Sequence, residues 1–161
     1  NENDIGDFKT FLKLSPPLRT EVDRNALVQG LIDETIDVIV SDHKPEDEEN
    51  KRLTFAQAET GASGIETLLP LSLELYHNGS VTLKTIIKAL TSSPAKILKI
   101  NKGNLSIGND ADFCIVDINK PWVVRKEKLI SKSKNTPIED KKLQGKVMNT
   151  FVNGEELFKA E

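Results

Sequence analysis

Two histidines, one cysteine, one tryptophan and one tyrosine are all that 161 residues hold of those four residue types. The single cysteine, Cys114, excludes an internal disulfide and any cluster of thiolate ligands. It lies in the run Phe113-Cys114-Ile115-Val116, where it reads as a small buried hydrophobe rather than a nucleophile. This cysteine usage fits a reducing compartment, so a cytoplasmic location is expected. No apolar run nears the ~20 residues of a membrane-spanning helix, and no secretory leader is recognised. A net charge of −3, a pI near 5.5 and the lack of a basic stripe with interleaved aromatics weigh against nucleic acid or an anionic membrane as partner. With only His43 and His77 there is no H-x-H, no HExxH and no Cys/His cluster, so a complete metal site cannot be drawn from this chain.

Against these absences, 37% hydrophobic and 29% charged residues describe a globular chain with enough apolar material for a core. It is shorter than the roughly 250 residues of a (β/α)₈ barrel. The first residue is Asn1 rather than methionine, and the chain is read as a fragment of a longer polypeptide.

Residues 1–18 read as irregular and close on Leu14-Ser15-Pro16-Pro17-Leu18, where paired prolines bar helix and central strand. Thr20 with Asp23 opens a helix to about Glu34, with Val22, Ala26, Leu27 and Leu31 on its inward face. Val38-Ile39-Val40, between Asp37 and Ser41, suits a short strand buried on both faces. The polar stretch 43–60 is a long loop after that strand. Ser63 and Glu66 have capping-box spacing, opening a helix to about His77 with Ile65, Leu68, Leu69 and Leu73 inward; Pro70 should kink it or delay its start. Asn78-Gly79 stops this helix, and His77 beside the stop reads as an exposed position. Leu83, Ile86, Ile87 and Leu90 mark a further helix, and Ser93-Pro94 a short one. Beyond Asn101 the pattern turns to strands: 113–117, 122–124, 146–152 and, after an Asn153-Gly154 turn, 155–158. The expected division is therefore 1–101, an α/β layer, and 102–161, a β-rich subdomain.

Asp42 is the most informative position. A carboxylate at the C-terminal end of a buried parallel strand is where α/β enzymes place catalytic groups, and it can bind a divalent cation or carry a proton. A harmless capping aspartate is the plain alternative. Strand alternation would turn the adjacent His43 away, leaving it a supporting hydrogen bond or simple packing.

Ser41-Asp42-His43-Lys44-Pro45 resembles the T/S-D-H-x-P segment on the eighth barrel strand of dihydroorotases, in the amidohydrolase superfamily. Leu14-Ser15-Pro16-Pro17-Leu18-Arg19 resembles their N-P-P-L-R, residues 61–70 their G-x-x-G-x-E-T-x-L-P, and Ser131 to Pro137 their S-K-S-x-N-T-P. The tail pattern from Gly103 to Asp112 is common to many amidohydrolases and says less. The resemblance implies the C-terminal part of a TIM-like, metal-dependent hydrolase barrel of α/β class plus a small β-subdomain. It also implies one or two zinc ions, with Asp42 as both metal ligand and general base in hydrolysis, general acid in cyclisation. The other zinc ligands of the family lie upstream of the matched segments, so this chain would supply one ligand and carry little activity alone.

The substrate-binding positions that the resemblance assigns are Ser15, Glu46, Thr60 and Gly61, and three of them depart from the family. Ser15 replaces an asparagine, Glu46 a histidine, and Thr60-Gly61 a Phe-Gly pair. A carboxylate at Glu46 would repel an anionic substrate, for which Lys44 or Arg52 could substitute by charge alone. The implied reaction is the reversible cyclisation of N-carbamoyl-L-aspartate to (S)-dihydroorotate. The implied partners are that small-molecule substrate, the upstream part of the same polypeptide and a homodimer mate. Two alternatives stay open: another cyclic amidohydrolase of allantoinase or hydantoinase type, and a non-catalytic dihydroorotase-like scaffold subunit.

Overall fold

The computed structural model describes residues 1–160. Two compact units interleave along the sequence: one of Asn1–Gly30, Ser41–Leu68 and Val123–Lys142, the other of Leu31–Val40, Leu69–Trp122 and Leu143–Glu161.

In the first unit, 3₁₀ turns at Glu2–Ile5 and Thr10–Leu12 precede helix α1 (Glu21–Ile32), whose last residues lie in the second unit. Thr20 opens α1 as expected: its hydroxyl accepts the Asp23 amide at 3.2 Å, and the Asp23 carboxylate accepts the Thr20 amide at 3.2 Å. The inward stripe is corrected, since Val22 is 78% exposed and Leu27 is exposed also; helical periodicity names the apolar face, not what covers it. A one-turn helix, α2 (Glu48–Lys51), interrupts the long loop after Asp42. The buried set of this unit is largely polar: Lys51, Ser63, Thr67, Asn135 and Thr136 stand beside Ala58, Val124 and Leu129. Among the described residues no buried side-chain nitrogen or oxygen lacks a partner.

The second unit has an apolar core of Leu31, Leu73, Val81, Ile86, Ala89, Ala95 and Leu143. Helix α3 (Leu68–His77) begins late, which puts Pro70 in the first turn where its missing N–H costs nothing. The start is not made by the expected capping box. Ser63 Oγ donates instead to Ser133 O (3.1 Å) and Asn135 Oδ1 (2.8 Å), and the Glu66 carboxylate accepts the amides of Ile130 and Ser131, both at 3.0 Å. Ile65, expected inward, lies before the helix and is 61% exposed. His77 is half-buried rather than exposed, with Nε2 3.0 Å from the Ile118 carbonyl. Thr82 caps α4 (Leu83–Leu90), and α5 (Ser92–Ile97) follows.

Strands β1 (Phe113–Val123), β2 (Lys142–Val152) and β3 (Glu155–Lys159) form one sheet in that order. The two strands expected at 113–117 and 122–124 are thus one. Phe113 stacks on Phe151 at 4.6 Å, while Trp122 Nε1 donates to Gly145 O at 3.0 Å, so β1 and β2 run antiparallel. β3 pairs antiparallel with β2 through the Asn153-Gly154 turn, with a register shift between Thr150 and Phe151. Cys114 is exposed, not buried; it lies on an edge strand, with Sγ 3.5 Å from Thr150 Oγ1.

The strand expected over residues 37–41 is absent among the described residues. Its one backbone tie of this kind is the Ile39 amide to Ala89 O, 3.1 Å, and Val40 is 71% exposed. A strand exists only by virtue of a ladder partner, and an apolar β-branched run cannot supply its own.

Candidate active site

Asp42 sits just past this segment, in the first unit, with φ 42°. Aspartate is one of the few residues with a β-carbon that are enriched in left-handed backbone. Here the carboxylate is exposed and makes no hydrogen bond or ion pair among the described residues. The turn places His43 and Lys44 alongside residues 62–65: Lys44 N donates to Ala62 O at 3.0 Å, and His43 Nδ1 accepts from Gly64 N (3.1 Å) and Ile65 N (3.3 Å). Since Nδ1 is an acceptor, the neutral ring carries its proton on Nε2. Of the two readings open for His43, a hydrogen bond or simple packing, the structure has the hydrogen bond, made to the backbone of residues 64 and 65.

A cavity of about 490 Å³ opens beside this turn, lined by His43, Pro45, Glu46, Asp47 and Ser131 to Ser133. Its size suits a small-molecule ligand. Glu46 is half-buried on its wall, its carboxylate 3.3 Å from Lys44 Nζ, and its carbonyl accepts the Ser133 hydroxyl. Lys44 Nζ also donates to Thr60 O at 2.9 Å, so Lys44, Glu46 and Thr60 are brought together. Arg52 is spent elsewhere, on Glu48 (2.9 Å) and Glu49 (3.0 Å). Lys132, exposed on the cavity wall, has no ion-pair partner among the described residues. Gly61 is buried and its amide is engaged by Lys13 O at 3.1 Å. Ser15 is exposed before a cis peptide bond to Pro16, and no hydrogen bond among the described residues joins it or Asp42 to the other site positions.

Lys51 escaped the sequence reading. In a run of charged residues it has every appearance of a solvated lysine, yet it is fully buried. Its ammonium donates to Lys13 O (3.1 Å), Glu59 O (2.8 Å) and Gly61 O (3.0 Å), which uses all its protons. Burial pushes its pKa below the ordinary lysine value. Asn135, also fully buried, donates to Gly61 O (3.3 Å) and accepts from the Ser63 and Ser133 hydroxyls (2.8 and 2.7 Å).

A family model described as the amidohydrolase family matches residues 13–157. The chain belongs to that family. Among curated proteins, this amidohydrolase chain is 42% identical over 161 residues to the dihydroorotase of Anaplasma phagocytophilum (strain HZ), covering 100% of this chain and 36% of that protein. It is 44% identical over 160 residues to the dihydroorotase of Ehrlichia chaffeensis (strain ATCC CRL-10679 / Arkansas), covering 99% of this chain and again 36% of the relative. Among solved structures, an L-hydantoinase (dihydropyrimidinase) from Arthrobacter aurescens superposes with a TM-score of 0.89 at 29% identity, over 98% of this chain and 36% of that one. A D-hydantoinase at 22% identity and TM-score 0.85 shares the fold. The chain spans about a third of the length of these relatives.

As to metal, the described residues contain no group of three or more His, Cys, Asp or Glu side chains that could hold an ion. Asp42, free and exposed, fits the part of a single ligand. The donor set present does not make a centre by itself, because catalytic zinc takes three protein ligands and keeps a fourth position for water. No helix among the described residues is long and apolar enough to cross a membrane.

Proposed function

We propose that this chain is the C-terminal portion of a dihydroorotase, which interconverts N-carbamoyl-L-aspartate and (S)-dihydroorotate. Residues 1–101 would belong to a (β/α)₈ barrel and 102–161 to its β-rich subdomain. The observation that carries the reading is likeness to dihydroorotases along the whole chain. Asp42 is the group at work: in hydrolysis its carboxylate takes a proton from the attacking water and passes it to the departing ring nitrogen, and in cyclisation it carries a proton from the attacking carbamoyl nitrogen to the departing water. Zinc, for which Asp42 would be one ligand, is the cofactor this reading implies. Ser15, Glu46, Thr60 and Gly61 are the proposed substrate-side positions. The Glu46 carboxylate beside Lys44 is part-neutralised, which lessens its repulsion of an anionic substrate. The protein would work in the cytoplasm, with a homodimer mate as a further partner.

The test is turnover of dihydroorotate by the complete polypeptide and by its Asp42→Ala variant. Activity lost in the variant, with an unchanged circular-dichroism spectrum, is expected; normal activity in the variant would remove Asp42 from the reaction. A second reading, a cyclic amidohydrolase of hydantoinase type, is favoured by the close superposition on the Arthrobacter L-hydantoinase and by Glu46 itself. Preference for hydantoin or dihydrouracil over dihydroorotate would select it.

A further inference from the structure

A lysine whose ammonium is wholly buried, and whose three protons all go to backbone carbonyls, must be held there by what it holds in turn. Burying a charge is costly unless charge-assisted hydrogen bonds replace water, and Lys51 meets that condition with carbonyls from two separate stretches of the chain: Lys13 in one, Glu59 and Gly61 in the other. Its own carbonyl accepts the Thr10 hydroxyl, which fastens the cage to the segment before α1.

One of the three carbonyls leads to the candidate active site. Gly61 lies so close to Lys44 that a Cβ built on it would stand 2.7 Å from Lys44 O. The next residue, Ala62, accepts the Lys44 amide, and Gly64 gives its amide to His43. The path from Lys51 thus runs through the Gly61 carbonyl to residues 62–64, and from them to the backbone on which Asp42 turns. Asn135 shares the same carbonyl at 3.3 Å and carries the connection through the Ser133 hydroxyl to the wall at Glu46.

We propose that Lys51 is a positioning residue of the site: its ammonium locks the Gly61–Gly64 segment, and that segment sets the turn at Asp42-His43-Lys44. The functional importance of the turn rests on the reading of Asp42 given above, whereas the lock itself does not. Lys13 is the natural control. Its ammonium donates to Ala56 O (3.0 Å) and Ala58 O (2.7 Å) in the same loop but does not reach Gly61 O.

Residue-resolved amide exchange in the complete polypeptide reads the lock directly. In Lys51→Met, the Lys44 and Gly64 amides should exchange about tenfold faster or more, as for a locally released segment. The Val124 amide, bonded to Lys141 O in the same unit, should keep its wild-type rate, and Lys13→Met should leave Lys44 and Gly64 unchanged. In Lys51→Ala, added propylammonium should restore protection at both amides and propanol should not. Unchanged exchange at Lys44 and Gly64 in folded Lys51→Met would overturn the proposal. So would equal acceleration at Val124, which would mark a merely structural lysine. Should Lys51→Met fail to fold, recovery of folded Lys51→Ala by propylammonium alone supports the lock; recovery by both additives or by neither overturns it. None of these outcomes depends on turnover, so the reading of Asp42 stands or falls separately.

Discussion

At φ 42°, Asp42 occupies backbone space that alanine enters at a cost of roughly 1–2 kcal/mol and that asparagine shares with aspartate. Asp42→Asn should therefore unfold at nearly the wild-type urea midpoint, while Asp42→Ala should lose on the order of 1 kcal/mol without losing its fold. Equal stability of the two variants would mean that the turn relaxes. Elsewhere in the first unit the Glu21 carboxyl is held well below the usual carboxylate range. Its hydrogen bonds from Arg24 and then from Asn1 pull its pKa from 4.5 to about 2. A carboxyl depressed by folding stabilises fully above its unfolded value. That contribution is present above pH 4.5 and lost as the pH falls through about 2. Carboxyl carbon-13 titration should find Glu21 still ionised well below pH 4.5, and Glu21→Gln should remove this part of the acid limb of stability. Asp42 stands out in the sequence because it lies in a distinctive motif, Ser41 to Pro45. Lys51 does not, since nothing in Glu48-Glu49-Asn50-Lys51-Arg52 separates the lysine that goes inside from the arginine that stays on the surface.

Helices were legible where their signals are local. Thr20 with Asp23, Pro70 in a first turn and Asn78-Gly79 at a stop all act within a few residues, and each lies where the structure has the matching boundary. The segment 37–41 misled because a strand is a relation between segments, and its apolar run speaks only for itself. The same non-local dependence governs Ser63 and Glu66, whose partners are near residues 130–135 and whose spacing imitates a cap. In the second unit, β2 and α3 meet at one point that admits no side chain: Gly145 has φ 104°, and a Cβ there would run into Leu73 Cδ1. Gly145→Ala should cost about 2 kcal/mol or more through strain and overpacking together. Leu73→Ala, at a fully buried position, should cost about 2–5 kcal/mol alone. In the double variant the two losses should sum to less than their separate values, because the space that one opens receives the other. Chemical denaturation of the four proteins checks this, and strict additivity would refute the contact.

For the whole molecule the ligand count makes the sharpest statement. One carboxylate cannot hold zinc as a closed three-ligand site does. After dialysis the 161-residue chain should carry far less than one zinc per molecule by atomic emission and should not turn over dihydroorotate, whereas on the proposed reading the complete polypeptide should retain zinc and turn dihydroorotate over. Stoichiometric zinc in the chain alone would show a donor set that the Asp42 reading lacks. The family was legible at this scale because short motifs along the whole length agree with one another. The interleaving of two units was not, since composition shifts only once, near residue 101.

That interleaving has a consequence for the order of events on the ribosome. Each unit is assembled from three stretches, and the last of the first unit begins only at Val123, that of the second at Leu143. The Glu66 carboxylate finds its amide partners 64 and 65 residues further along. During synthesis, Glu46, Gly61 and Ser63 emerge long before Ser133 and Asn135 exist to bond them. A nascent chain stalled after Trp122 should therefore be digested rapidly by a protease around residues 43–67, and protection there should appear only once residue 142 has left the exit tunnel.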